Sequence, residues 1–377
     1  MDRRLFLRSA AAACAASATG SALAETRGKW VLGQSAALSG PSGELGQQFR
    51  LGAELCFGRV NARGGVAGRP IELRSLDDGY EPDRCAANTR KLLGEGVFAL
   101  FGYVGTPTSL AALPLATAAG VPFLAPMTGA EALRTPFNRN VFHVRASYIQ
   151  ETAEIVKQLT SVGVKRIAVF YQADAYGQAG VDGVTRALAA FGLKPAALGT
   201  VERNSVDVSG AIRSIMTEPP EAVVQIGSYK ACAAFIRAAR ADGFRGAFYN
   251  VSFVGTKALA DELGADAQGV IISQVMPYPF STAKPITAEY QAAGHAAQGD
   301  AFAPSYGSME GYIAAKFVVD GLHRAGPNAT AESLITGLEA MHDFDLGGFF
   351  VDFNASKHTG SRFVDMTILD GQGKVRR

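Results

Sequence analysis

Short apolar runs alternate with stretches of helical spacing along most of the chain. Residues 29–36 (KWVLGQSA) predict a strand that ends in a Gly/Ser/Pro loop at 39–43. Residues 47–62 carry apolar side chains at helical spacing, and a turn at 64–69 leads to a second strand at 70–77. A helix is expected over 82–94, with Pro82 in its first turn and Glu81 and Asp83 near the positive end of its dipole. Residues 97–103 form an apolar run suited to a strand buried on both faces. A loop with Thr106, Pro107, Thr108 and Ser109 follows, then a helix to about Ala119, a strand at 121–125, and a loop at Met127, Thr128 and Gly129. Residues 141–145 close this set.

The same alternation then starts again. Helices are expected over 151–161, 180–191, 209–216 and 230–241, and strands over 166–171, 196–201, 222–226 and 247–251. Two of these strands end in loops that carry Tyr176 and Tyr229. Repeated βα units imply parallel sheets with helices on both faces. The tail differs: one long helix over 305–324, then alternating strands at 347–353 and 363–370 joined by a polar turn at 354–360. Strands that return after such a helix imply several crossovers between lobes, which is how a hinge is built.

The expected fold is therefore α/β, with two doubly wound parallel-sheet lobes joined by a multi-crossover hinge. A length of 377 residues agrees with two lobes at about 150 residues per domain. The expected division is an export signal over 1–24, an N-terminal lobe of 25–146 plus 277–345, and a C-terminal lobe of 147–276 plus 346–377.

The start of the chain is set apart by its composition. Arg3, Arg4 and Arg8 precede an Ala-rich apolar stretch, and Ala22-Leu23-Ala24 has the form of a cleavage site. This reads as an export signal and implies a periplasmic location. Arg3-Arg4 followed by Phe6-Leu7 leaves the twin-arginine route open beside the general one. The whole chain has 36 basic and 34 acidic residues, and 1–24 holds three Arg and one Asp, so the remainder is balanced. A neutral chain argues against nucleic acid or an anionic membrane surface as partner. Cys56, Cys85 and Cys232 remain, an odd number that leaves at least one unpaired.

No catalytic constellation emerges. The chain lacks G-x-S-x-G, a phosphate-binding loop and a dinucleotide fingerprint. Its five histidines, at 143, 295, 323, 342 and 358, stand apart from one another without metal-ligand spacing. No enzyme activity, metal or cofactor is expected. Asp77-Asp78 reads as a strand end that caps the following turn.

What the loops offer is hydroxyls, amides and aromatic rings at the C-terminal ends of strands, where ligands bind in open α/β sheets. Thr106, Thr108 and Ser109 at a helix start can hold a carboxylate with hydroxyls and free backbone N–H groups. Thr128 and Gly129 add donors from the next strand end, and Met127 lies beside them. Tyr176 and Tyr229 suit the opposite wall, facing an apolar or planar ligand body. Tyr103 and Tyr148 are further wall candidates. Simple helix capping and loop packing would account for the same residues without a ligand.

Taken in order, these stretches resemble one family. Ala37 to Pro41, Asn61 to Arg69, Asp77-Asp78, Gly102 to Pro114 (GYVGTPTSLAALP), Val121 to Pro126, Tyr176-Gly177 and Glu310-Gly311-Tyr312 are similar to the leucine/isoleucine/valine-binding type of periplasmic receptor. The resemblance covers nearly the whole chain after residue 24. It implies the type I periplasmic binding fold, a small-molecule ligand held between the lobes, and an inner-membrane ABC permease as partner of a monomeric chain. It places carboxylate recognition at Thr106 to Ser109 and Met127 to Gly129, and second-lobe contacts at Tyr176 and Tyr229. Two positions depart from the pattern. Ser252 stands near where amino-acid binders use an acidic residue for the ligand ammonium, and Leu45 replaces a common aromatic. The expected ligand is a small carboxylate-bearing solute: an aromatic or aliphatic acid, or an amino acid. A sensor of the same fold, feeding a signalling receptor, is the alternative.

Overall fold

The computed structural model describes residues 28–377, so the export signal expected over 1–24 lies outside the described residues. Two α/β lobes make up the molecule. The first sheet contains β1 (Trp30–Ala36), β2 (Ile71–Asp77), β3 (Ala99–Phe101), β4 (Phe123–Leu124) and β5 (Val141–Phe142), in the order β2-β1-β3-β4-β5. All its pairings are parallel. The second sheet contains β6 (Ile167–Gln172), β7 (Leu198–Val201), β8 (Ala222–Ile226), β9 (Ala247–Asn250) and β10 (Ile271–Gln274). Its parallel part runs β7-β6-β8-β9-β10, the same order as in the first lobe once each is counted from its own first strand. The duplication expected from the βα rhythm is therefore one of topology.

Strands β3, β4, β8 and most of β6 are buried along their length, and they read as unbroken apolar runs because helices cover both faces of each sheet. Helix α1 (Gly43–Asn61) lies against the long helix α10 (Tyr306–Ala325). Gly52 and Gly311 permit this crossing, since a Cβ at either would run into the main chain of the other helix, at Ser308 and Phe49 respectively.

Chain passes from the first sheet to the second between β5 and α4 (Tyr148–Ser161), which opens with a Ser147–Gln150 capping box. It returns between β10 and α9 (Pro285–Gln298). The two late strands do not pair with each other. β12 (Phe350–Val351) pairs with β11 (Phe344–Asp345), whereas β13 (Asp365–Leu369) joins β10 antiparallel and carries β14 (Val375–Arg376) at the sheet edge. The intervening segment is occupied elsewhere: His143 N donates to His358 O at 2.8 Å, and Gly360 N to His143 O at 2.8 Å. Alternation along the sequence identified both strands but not their partners, because a period of two carries no register between distant segments.

Cys56, Cys85 and Cys232 are all free and buried. Among the described residues no helix is long and apolar enough to cross a membrane.

Candidate functional site

Two strand ends of the first lobe meet at Thr106 and Thr128. Thr106 begins α3 (Thr106–Ala118), after a loop of residues 102–105 that follows β3, and Thr128 lies in the loop after β4. Their hydroxyl oxygens are 2.6 Å apart, and both side chains are fully buried. Thr128 Oγ1 also accepts from Ala130 N at 3.2 Å. Whichever threonine donates to the other, one hydroxyl proton of the pair remains to be given away. The first turn of α3 leaves the N–H groups of Thr106 and Thr108 without an intrahelical acceptor, and Pro107 removes another from the count. Ser109 Oγ is buried with no hydrogen-bond partner. Thr108 is committed otherwise, since its hydroxyl donates back to the carbonyls of Val104 and Gly105.

Gly129 brings the first crossing segment up to these loops. Tyr148 N donates to Gly129 O at 2.8 Å, and a Cβ on Gly129 would stand 2.6 Å from Tyr148 N. The Tyr148 hydroxyl reaches the side of Thr128 without completing a hydrogen bond there. Burial pushes its pKa up to about 12, so it is a neutral donor.

A row of buried aromatic rings joins the two lobes. The Tyr148 and Tyr176 rings are 5.4 Å apart, Tyr176 and Phe253 are 4.7 Å apart, and Tyr80 and Phe253 are 6.0 Å apart. Asp174 caps the helix that carries Tyr176, holding Tyr176 N at 2.9 Å. Tyr80 belongs to the first lobe and sits in the left-handed region at φ 65°, an uncommon position for a bulky residue and a local strain of the kind found at binding sites. Two acceptors fix its turn: Asp78 holds Tyr80 N, and Asp77 holds the N–H groups of Leu38, Ser39 and Gly79. The capping role expected for Asp77-Asp78 is thus what their bonds show.

A buried charge cluster stands beside the aromatic row. Arg145, 1% exposed, lies 3.4 Å from both Glu151 and Glu310 and also donates to Ser252 Oγ. Glu151 accepts from Ser252 N at 2.8 Å and from Ser273 Oγ at 2.6 Å. Burial pulls the Arg145 pKa down, but Glu310 and Glu151 more than offset it and the net shift is upward. Burial raises the Glu310 pKa, against the opposing pull of Arg145. Arg145 Nε and Nη1 make no hydrogen bond. A small crevice of about 20 Å³, room for little more than a water molecule, adjoins this cluster, lined by Leu45, Gln48, Met127, Ser252, Ser305 and Glu310 among others.

Of the residues named from the sequence, Thr106, Ser109, Thr128, Gly129, Tyr148 and Tyr176 come together here. Met127 and Ser252 line the adjoining crevice. Tyr229, first residue of α7 (Tyr229–Ala241), meets the main chain of Glu44 across the gap. Tyr103 points to the other face of its sheet, where its hydroxyl is 3.0 Å from Thr89 Oγ1 and its ring packs on Phe123. Tyr80, Arg145, Glu151 and Phe253 were not singled out from the sequence. A basic residue inside the otherwise apolar run around 141–148 was the one available signal, for Arg145.

Among the described residues no group of three or more His, Cys, Asp or Glu could hold a metal ion. A family model described as periplasmic binding protein matches residues 29–374. The Leu/Ile/Val-binding protein of Escherichia coli (strain K12) is 23% identical over 248 residues, which is 64% of this chain and 66% of that protein. A possible leucine/isoleucine/valine-binding protein from Rhodopirellula baltica SH 1 is similar in structure, with a TM-score of 0.89 and 33% identity, covering 93% of this chain and 96% of that one. A substrate-binding periplasmic protein from Ralstonia solanacearum has a TM-score of 0.86 and 30% identity, covering 92% of this chain and 99% of that one. With the fold and the matched span in agreement, the chain belongs to the periplasmic binding protein family.

Proposed function

We propose that the chain is the periplasmic, non-catalytic solute receptor of an ABC importer and closes its two lobes around a small carboxylate-bearing organic acid. The observation that carries this reading is the Thr106–Thr128 hydroxyl pair at the N-terminus of α3, with the unpartnered Ser109 hydroxyl and the Tyr148 hydroxyl beside it. Neutral donors and a helix end can solvate an anion without a buried countercharge. Tyr80, Tyr148, Tyr176 and Phe253 would take the apolar body of the ligand. Glu310 is the one acid facing the adjoining crevice with no hydrogen bond of its own, so an amino-bearing ligand would be met there. The lobes would exchange chain at 143–148, at 275–284 and, later than the boundary at 346 expected from the sequence, at 361–364, since His358 and Gly360 bond to His143 of the first lobe; these segments would form the hinge. Export through an N-terminal signal, by the general or the twin-arginine route, would deliver the chain to its compartment.

Native mass spectrometry of freshly purified protein would read the mass of any retained solute, and a melting panel of organic acids and amino acids would test the class. A ligand at one hundred times its Kd should stabilise the fold by about 2.7 kcal/mol. A panel with no shift, together with no retained mass, would overturn this reading.

A further inference from the structure

We infer that Arg203 and Asn204, in the loop after β7, form a clasp that holds the two lobes shut. The loop belongs to the second lobe, yet its side chains bond to the turn after β2 in the first. Arg203 Nη2 lies 3.0 Å from Glu81 Oε2, while Nη1 lies 3.5 Å from Asp174 of its own lobe. Asn204 Nδ2 donates to Glu81 Oε1 at 2.8 Å and to Gly79 O at 3.0 Å. Ser42 Oγ, also in the first lobe, donates to Asn204 Oδ1 at 3.4 Å. Beneath them Gln172 Nε2 of the second lobe donates to Tyr80 OH of the first at 3.4 Å. Glu81 therefore receives two donors at once, one on each oxygen, and the loop grips the same turn that positions Tyr80.

The geometry is set for this contact. Asn204 adopts φ 61°, a left-handed conformation that asparagine tolerates better than most residues and that turns its amide across the gap. Asp174 orients the Arg203 guanidinium from behind while also capping the helix of Tyr176. The clasp thus ties the aromatic rings of one lobe to the aromatic turn of the other. Each bond is partly exposed: Arg203 is 26% and Glu81 43% accessible. The contribution of any one is small and screened by salt, but they break together when the lobes part. Lobe opening, and hence ligand release on the proposed function above, is then governed at this rim as well as by the ligand itself.

The test measures lobe separation in the full chain with no ligand added. Spin labels placed through K91C and K194C in a C14S background would report it, because both positions are exposed and Cys56, Cys85 and Cys232 are buried. R203A and N204G are expected to raise the open-to-closed ratio roughly threefold to tenfold. High salt should do the same to the parent and add little to R203A. E81Q, on the facing lobe, should reproduce the shift and should not add to R203A, which keeps the test intact if R203A folds poorly. Identical distance distributions in the parent, N204G and E81Q would overturn the clasp. Because no solute takes part, distances that respond in a chain that binds nothing would count against the proposed function alone.

Discussion

Thr106 Oγ1 and Thr128 Oγ1 stand 2.6 Å apart although they belong to different βα units. Each is the residue a parallel strand delivers to the helix or loop beyond its C-terminal end, so neighbouring strands put the two hydroxyls side by side. The pair shares one internal hydrogen bond and keeps one proton for an incoming acceptor.

T106V and T128V should therefore weaken binding of the solute identified by mass spectrometry about tenfold to a hundredfold each, the range for a lost hydrogen bond to a charged group. The double variant should lose less than the product, because each single change already breaks the shared bond. Calorimetric titration measures both. Unchanged affinity in both single variants would remove the threonines from the site.

Arg145 should behave as a buried countercharge. It is 1% exposed between Glu151, fully buried, and Glu310, 8% exposed. R145M strands two carboxylates and is expected to cost about 3–5 kcal/mol in urea unfolding. Adding E310Q should return part of that loss, since it removes one of the two stranded charges. A loss below about 1 kcal/mol for R145M would mean that the cluster is solvated.

Asp78 makes a pH prediction. Burial raises its pKa to about 6, with the Ser35 hydroxyl and Tyr80 N–H pulling it back. The folded state thus holds this proton more tightly than the unfolded chain. Its stabilising effect is complete below the unfolded pKa and is lost as pH rises through about 6. From pH 4 to pH 7 the stability of D78N relative to the parent should therefore rise by up to about 3 kcal/mol. Denaturant midpoints at the two pH values, compared between the two proteins, give the answer. A gap independent of pH would place the proton elsewhere.

Gly129 is a matter of space rather than chemistry. A methyl group there would meet Tyr148 N at 2.6 Å and the tyrosine ring just beyond. G129A is expected to cost about 1–3 kcal/mol and to displace Tyr148, with a parallel loss of ligand affinity. Thermal melts and titration of the same sample separate the two effects. A variant with parental stability and affinity would show that the crossing segment has room to move.

The sequence by itself determined the layers. Buried strands covered on both faces leave unbroken apolar runs, helices leave a period near 3.6, and the Gly- and Thr-bearing loops fall at strand ends. Two βα sets, and the loops holding Thr106, Thr128 and Tyr176, were legible for that reason. Local pattern also allowed Tyr103 beside the same loop, but the pleat turns it to Thr89 on the other face. Only the tertiary structure decided which distant residues face one another. Arg145 meets Glu310 from 165 positions along the chain, Glu81 meets Arg203 from 122, and β13 joins β10 instead of β12. The Glu81–Arg203 contact depends on how the two lobes are oriented by their connections, and the other two depend on segments that rejoin a lobe after the chain has left it. Periodicity within either lobe holds no record of that orientation.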